Sequence, residues 1–176
     1  MHPDEPLAFS ANDLYFREWR EADFEHMAGL FDTDEMNRWT PLPFPFTPEV
    51  AAGYVARAHE ARERDGTLQL AVCGAADGPP LGEVLLSPSD EPGTVELAYA
   101  VGVEYRGRRI GARSVAAALD VARLAGARRA VLTIAHDNGP SQATASAAGF
   151  TKTEAPLRRR ERKGFVLQME TWERRL

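Results

Sequence analysis

Residues 101–115 read VGVEYRGRRIGARSV. This stretch decides the fold, because it joins a strand-like run to a helix-like run through a basic loop. Upstream, residues 94–102 (TVELAYAVG) read as an extended segment. Downstream, Val115, Ala118, Leu119 and Ala122 fall at i, i+3, i+4 and i+7, one face of a helix over 111–125 that Gly126 stops. Between the two, Arg106, Arg108, Arg109 and Arg113 crowd around Gly107 and Gly111. Four guanidinium groups so close repel one another and call for an anion. A strand–loop–helix junction aims free N–H groups and the positive helix end at one point. A glycine there lets a phosphate approach the backbone, so a diphosphate suits the site. A solvated basic turn accounts for the bare cluster equally well. Neither G-x-G-x-x-G nor G-K-[ST] occurs.

Working outward, residues 14–20 (LYFREWR) read as a strand and residues 21–32 as a helix, with Phe24, Met27, Leu30 and Phe31 at helical spacing. Four prolines make 38–49 irregular. Thr47 caps and Pro48 opens a second helix that runs to about 65–66. Segments 68–74, 81–88 and 94–102, separated by Gly/Pro/Asp turns, form an antiparallel meander. Residues 129–136 (RAVLTIAH) are nearly all apolar, as in a central strand. A short alanine-rich helix follows, with Pro140 in its first turn and Gly149 as its stop, and 165–173 is a last strand. This order predicts an α/β (α+β) fold in one domain over 1–176. Its sheet is mixed, mostly antiparallel and twisted, with six to seven strands and about four flanking helices.

Composition narrows the class. The chain has 176 residues, 44% hydrophobic and 27% charged, as expected of a globular domain. No run approaches the ~20 apolar residues that span a membrane, and MHPDEPLAFS lacks the pattern of a secretory signal. With Cys73 as the sole cysteine, a reduced, cytoplasmic setting is expected. The net charge of -5 hides a split. Residues 1–100 carry 6 basic and 19 acidic side chains, and residues 101–176 carry 15 and 7. Such halves either neutralise each other or attract a cationic and an anionic ligand respectively.

The run Arg106-Gly107-Arg108-Arg109-Ile110-Gly111 resembles the R/Q-x-x-G-x-G/A signature of the GCN5-related N-acetyltransferase (GNAT) superfamily. The likeness covers nearly the whole chain. The opening and the Pro/aromatic loop are most similar to the ribosomal-protein alanine N-acetyltransferase (RimJ/RimL-like) branch. The resemblance implies that the signature loop, Arg106, Gly107, Arg108, Arg109, Gly111 and Ala112, binds the diphosphate of acetyl-coenzyme A. Arg109 departs from it, standing where the family carries a glycine. The family also implies that the fourth and fifth strands splay, and that the pantetheine arm pairs with backbone near Val101 and Val103. Asn138 and Ser141 match an N-x-x-S/A pattern whose Asn bonds pantetheine; capping a turn would employ Asn138 as well.

The reaction so implied is direct attack of a primary amine on the thioester in a ternary complex. A backbone N–H near Val101 would stabilise the developing oxyanion. Glu96 matches the position of a catalytic glutamate, and apolar Val95 and Leu97 would half-bury it and make it a better base. A surface carboxylate on an alternating strand is the alternative. Glu83 is a second candidate, for the base or for the acceptor. The tyrosine with which relatives protonate the leaving thiolate is Ala145 here, which leaves Ser141 as a substitute. The acceptor would be a small-molecule or peptide amine, and relatives often form homodimers.

In the loop, Trp39, Phe44 and Phe46 would wall an acceptor pocket, or else form a hydrophobic flap that closes the core. Glu35 and Asn37 just precede it. Residues 158–163 (RRRERK) suggest a solvated turn, reaching a cofactor phosphate or the acceptor; nucleic acid is disfavoured because no aromatics interleave. Cys73 is inert packing. His2, His26, His59 and His136 lack metal-ligand spacing, so no metal is expected. The rival functions are a coenzyme A-binding module without turnover and a nucleic-acid binder.

Overall fold

The computed structural model describes residues 6–176, so His2 lies outside the described residues. It opens with a hairpin that the sequence reading missed. β1 (Ala8–Ala11) turns through Asn12 and Asp13, with φ of 53° and 56°, into β2 (Leu14–Glu18). Two consecutive left-handed residues make a type I′ turn, and Asn and Asp tolerate that region better than most. α1 (Phe24–Phe31) leads to α2 (Asp34–Trp39), whose N-cap Thr33 accepts a hydrogen bond from the Met36 N–H at 3.1 Å. α2 corrects the irregular reading of Arg38 and Trp39: the prolines that forbid a helix begin only at Pro41. α3 (Pro48–Asp65) starts and stops as its sequence dictates. Thr47 accepts from the Val50 N–H at 3.4 Å, Pro48 sits in the first turn, and Gly66 at φ 78° ends the helix.

β3 (Leu68–Cys73), β4 (Pro80–Pro88) and β5 (Thr94–Val101) form the antiparallel meander. α4 (Ile110–Leu124), β6 (Arg129–Ala135) and α5 (Gly139–Ala147) follow, then β7 (Thr151–Lys152), β8 (Arg158–Arg162) and β9 (Phe165–Arg175). Among the described residues nine strands share one sheet, in the order β1-β2-β3-β4-β5-β6-β9-β7 with β8 also on β9, and only β5 and β6 run parallel. The count exceeds six to seven because β1 and β8 were not foreseen. Residues 158–162 form a strand rather than a turn, with Arg158 opposite Met169 and Arg162 opposite Phe165. The turn is Lys163–Gly164, again with two positive φ values, 47° and 79°.

Helices cover both faces. The predicted stripe of α4 is buried: Val115, Leu119 and Ala122 are fully inaccessible and Ala118 is 5% exposed. It packs on Phe16, Val72, Val84, Leu97 and Leu132. Burying Val115 and Leu119 contributes roughly 1.5–3 kcal/mol each. On the other face, α1 and α3 pack Met27, Phe31 and Val55 against Trp19 and Ala71. Phe46 joins that cluster, so this loop aromatic closes the core.

The functionally decisive irregularity lies between β5 and β6. They share four residue pairs, Thr94 with Arg129 through Leu97 with Leu132. Beyond these, 98–101 and 133–135 continue without pairing to each other. This is the splay expected between the fourth and fifth strands. The Gly102 N–H donates to Leu81 O at 2.9 Å. By the alternation of an antiparallel ladder, Tyr99 and Val101 therefore turn their N–H and C=O groups away from β4 and into the gap.

Candidate active site

Two pockets meet at the splay. A groove of about 400 Å³ lies where α2, the end of β5 and the starts of α4 and α5 converge. A second pocket of about 590 Å³ opens on the other side, over β4, β5, β6 and the β8–β9 hairpin. Trp39, Thr40, Tyr99, Ala100, Asn138 and Ser141 line both. A molecule in the groove and one in the second pocket would meet at these six residues.

The groove gathers most of the residues expected at a cofactor: Val101, Arg106, Gly107, Arg109, Gly111, Ala112, Asn138 and Ser141 line it. Val103 and Arg108 do not. Val103 sits 53% exposed in a short 3-10 turn, and Arg108 lies 5.9 Å from the Tyr105 ring centroid. The idea that all four arginines await an anion needs correction. Arg106 pairs with Glu35 of α2 at 2.6 Å. Arg113 donates to the carbonyls of Asn12, Asp13 and Arg108 at 3.3–3.4 Å. Arg109, by contrast, has no carboxylate partner among the described residues and lines the groove. The α4 N-terminus supplies further positive potential there, because the first N–H groups of a helix lack intrahelical acceptors.

Gly111 and Arg109 also differ from expectation. A Cβ on Gly111 would meet Tyr99 Cε2 at 3.3 Å and Thr144 Cγ2 at 3.4 Å. Gly111 thus lets the α4 N-terminus close on Tyr99, rather than simply admitting a phosphate. Arg109 occupies the left-handed region at φ 58°, ψ 18°, where the family's glycine would be at ease. That conformation costs roughly 1–2 kcal/mol in a residue with a Cβ. Arg109→Gly is therefore expected to stabilise the fold by about 1 kcal/mol and raise Tm by about 2–4 °C; a lower Tm by calorimetry would show that the arginine's contacts outweigh its strain.

Asn138 caps α5, its Oδ1 accepting from the Ser141 N–H at 3.2 Å. The Ser141 hydroxyl lies 2.9 Å from the Tyr99 hydroxyl. Tyr99, absent from the sequence-derived set, crosses the splay from β5 to reach α5. Burial raises its pKa, so it holds its proton. Ala145, at the family's tyrosine position, is fully buried.

In the second pocket the two glutamates exchange roles. Glu96 is exposed, and the half-burial expected from its apolar neighbours is absent, because those side chains point to the opposite face. Glu83 is 8% exposed and accepts from Trp19 Nε1 at 2.9 Å, Tyr54 Oη at 2.8 Å and Gln69 Nε2 at 3.1 Å. Burial raises its pKa despite the three donors, which favour the carboxylate. Trp39 lines the pocket, whereas Phe44 is 44% exposed and lines neither cavity. Burial also pushes the Cys73 thiol up, away from nucleophilic use. His136 bonds through Nδ1 to Glu170 at 2.6 Å. Among the described residues no group of three or more His, Cys, Asp or Glu could hold a metal, and no helix is long and apolar enough to cross a membrane.

The sequence model of the acetyltransferase (GNAT) domain matches residues 13–151. No curated protein matches the chain. The fold is shared with the ribosomal-protein-S5-alanine acetyltransferase of Vibrio fischeri, at TM-score 0.79 and 18% identity over 96% of each chain. RimJ of Mycobacterium smegmatis, solved with CoA-disulfide, superposes at TM-score 0.81 and 18% identity over 99% of this chain and 88% of that one. Spermidine N-acetyltransferase of Vibrio cholerae, solved with CoA and spermine, gives TM-score 0.75 and 13% identity over 93% and 95%.

Proposed function

Because the chain belongs to the acetyltransferase (GNAT) family, we propose that it is a single-domain enzyme that moves an acetyl group from acetyl-coenzyme A to a primary amine. Transfer is direct, with both substrates bound at once. One observation carries the reading: two pockets on either side of a splayed sheet share the residues between them. The CoA complexes of the fold relatives from M. smegmatis and V. cholerae support the choice of cofactor.

The groove residues fit the coenzyme. Tyr99 and Val101 offer backbone donors and acceptors to the amide-bearing pantetheine arm. Arg109 and the first N–H groups of α4 hold the diphosphate. Bound there, acetyl-coenzyme A supplies an activated thioester. Glu83 draws the acceptor ammonium into the second pocket and takes its proton. Tyr99, bonded to Ser141, returns a proton to the departing sulphur. Trp39 closes the junction over both.

The test is melting with and without acetyl-coenzyme A, followed by free-thiol release over an amine panel. Ligand at 100 times its Kd adds about 2.7 kcal/mol, which is a shift of several degrees at this size. No shift overturns the coenzyme reading. A shift with no thiol released by any amine leaves a binding module.

A further inference from the structure

The far wall of the second pocket is basic. Arg57 of α3 and Arg160 and Arg162 of β8 line it. Arg160 stands opposite Leu167 and Arg162 opposite Phe165, so the two arginines share a sheet face about 7 Å apart. Arg159 and Glu161 lie on the other face, where they pair at 2.8 Å. The nearest acidic side chain of the hairpin therefore cannot neutralise the pocket-facing pair. Among the described residues, Arg57, Arg160 and Arg162 have no carboxylate partner. The Arg162 Nε is buried without any hydrogen-bond partner.

Arg57 and Arg160 are exposed and Arg162 is half-buried, while the two carboxylates of the cavity, Glu83 and Glu96, lie across it on β4 and β5, so an anion entering on the β8 side gains guanidinium partners that no carboxylate occupies. Burial and the charge of Arg160 together lower the pKa of Arg162, the signature of an uncompensated cation. A coenzyme phosphate is not that anion, because none of the three arginines lines the groove. Glu83 lies on β4, next to β5 and the splay, whereas Arg160 and Arg162 lie on β8, beyond β6 and β9.

We infer that the acceptor is a small amine that carries its own anionic group, a carboxylate or a phosphate, bound by Arg160 and Arg162 while its amine lies toward Glu83. The inference rests on the acetyl-transfer reading and names its substrate class. The pocket favours a small molecule over a protein tail. The tip of the β8–β9 hairpin is tied to the proline loop by Lys163 Nζ donating to Leu42 O at 2.6 Å. The pocket volume of about 590 Å³ is that of a small-molecule site. Guanidinium forks match both carboxylate and phosphate oxygens bidentately.

The test compares matched amines at fixed acetyl-coenzyme A: O-phosphoethanolamine against ethanolamine, and β-alanine against its amide. The anionic member of at least one pair is expected to show a kcat/KM about tenfold or more above its neutral partner. In the Arg160→Gln/Arg162→Gln double variant that ratio should fall toward one, while the melting shift caused by acetyl-coenzyme A reports that the variant is folded. A preference confined to one pair assigns the phosphate or the carboxylate. Equal or better use of the neutral members overturns the inference and leaves acetyl transfer standing. So does acetylation of an acidic tetrapeptide with neither anionic small amine used. If no amine releases thiol, calorimetric titration of O-phosphoethanolamine into the protein decides. Binding lost in the double variant supports the subsite, and no binding by the native protein rejects it.

Discussion

Glu83→Gln is expected to lower kcat about 100-fold at neutral pH, the usual loss when a general base is removed. The substitution keeps the volume of the side chain and an oxygen for Tyr54 or Trp19, so the pocket is preserved while the proton acceptor is removed. The pH dependence carries the diagnosis. Burial raises the pKa of Glu83 above that of an ordinary glutamate. Above that value the native side chain is a carboxylate and the variant is not, so the rate ratio is at its full size. As pH falls through it, native Glu83 takes up a proton, both proteins carry a neutral group, and the ratio shrinks toward one. Glu96→Gln, at an exposed position, should show no comparable ratio. Tyr99→Phe should slow turnover without abolishing this pH-dependent ratio, since its hydroxyl serves the leaving sulphur. A pH-independent ratio for Glu83→Gln would remove Glu83 as the base.

How the site was legible in the sequence differs residue by residue. The signature loop was readable because its information is local: strand, glycine, arginine and helix follow within 15 residues, so the junction and its N–H groups come from chain order alone. The helix stripe of α4 and the Thr47–Pro48 start of α3 were readable for the same reason. Tyr99 was not, since its role depends on how far β6 diverges from β5 and on where α5 then lies, neither of which is a local property. The exchange of Glu96 for Glu83 has a similar cause. Both glutamates sit on strands and face the same pocket, but only Glu83 is covered, by Trp19 and Tyr54 from elements 64 and 29 residues away. Residues 158–162 misled because an arginine run carries little strand propensity; pairing to an eleven-residue β9 overrides it. The arginine cluster at 106–113 looked more anion-starved than it is, because Glu35 and the β1–β2 turn that satisfy two of its members come from far upstream.

Gly82→Ala is expected to destabilise the fold by about 3 kcal/mol or more, the upper part of the range for overpacking. A Cβ at Gly82 would lie 2.2 Å from Ala100 O and 3.1 Å from Val101 Cα. Both neighbours are backbone, so no side chain can swing aside and β5 itself must shift. The register of β4 against β3 shifts at this point, with Val72 opposite Gly82 and Cys73 opposite Pro80, so Leu81 is the extra residue. Such a bulge tightens the local twist and brings the backbones together, and glycine is what it then requires. The Leu81 carbonyl accepts the Gly102 N–H, so the same bulge fixes the end of β5 and the direction in which Tyr99 and Val101 face the gap. A forced separation of β4 and β5 should therefore lower Tm by about 6–12 °C and weaken acetyl-coenzyme A binding together. Gly29→Ala is the control: it lies in α1 with nothing within 4 Å of the added Cβ, so it should stabilise by roughly 0.5–1 kcal/mol. If Gly82→Ala melts within a degree of the native protein, the close approach of β4 to β5 is not what shapes the splay.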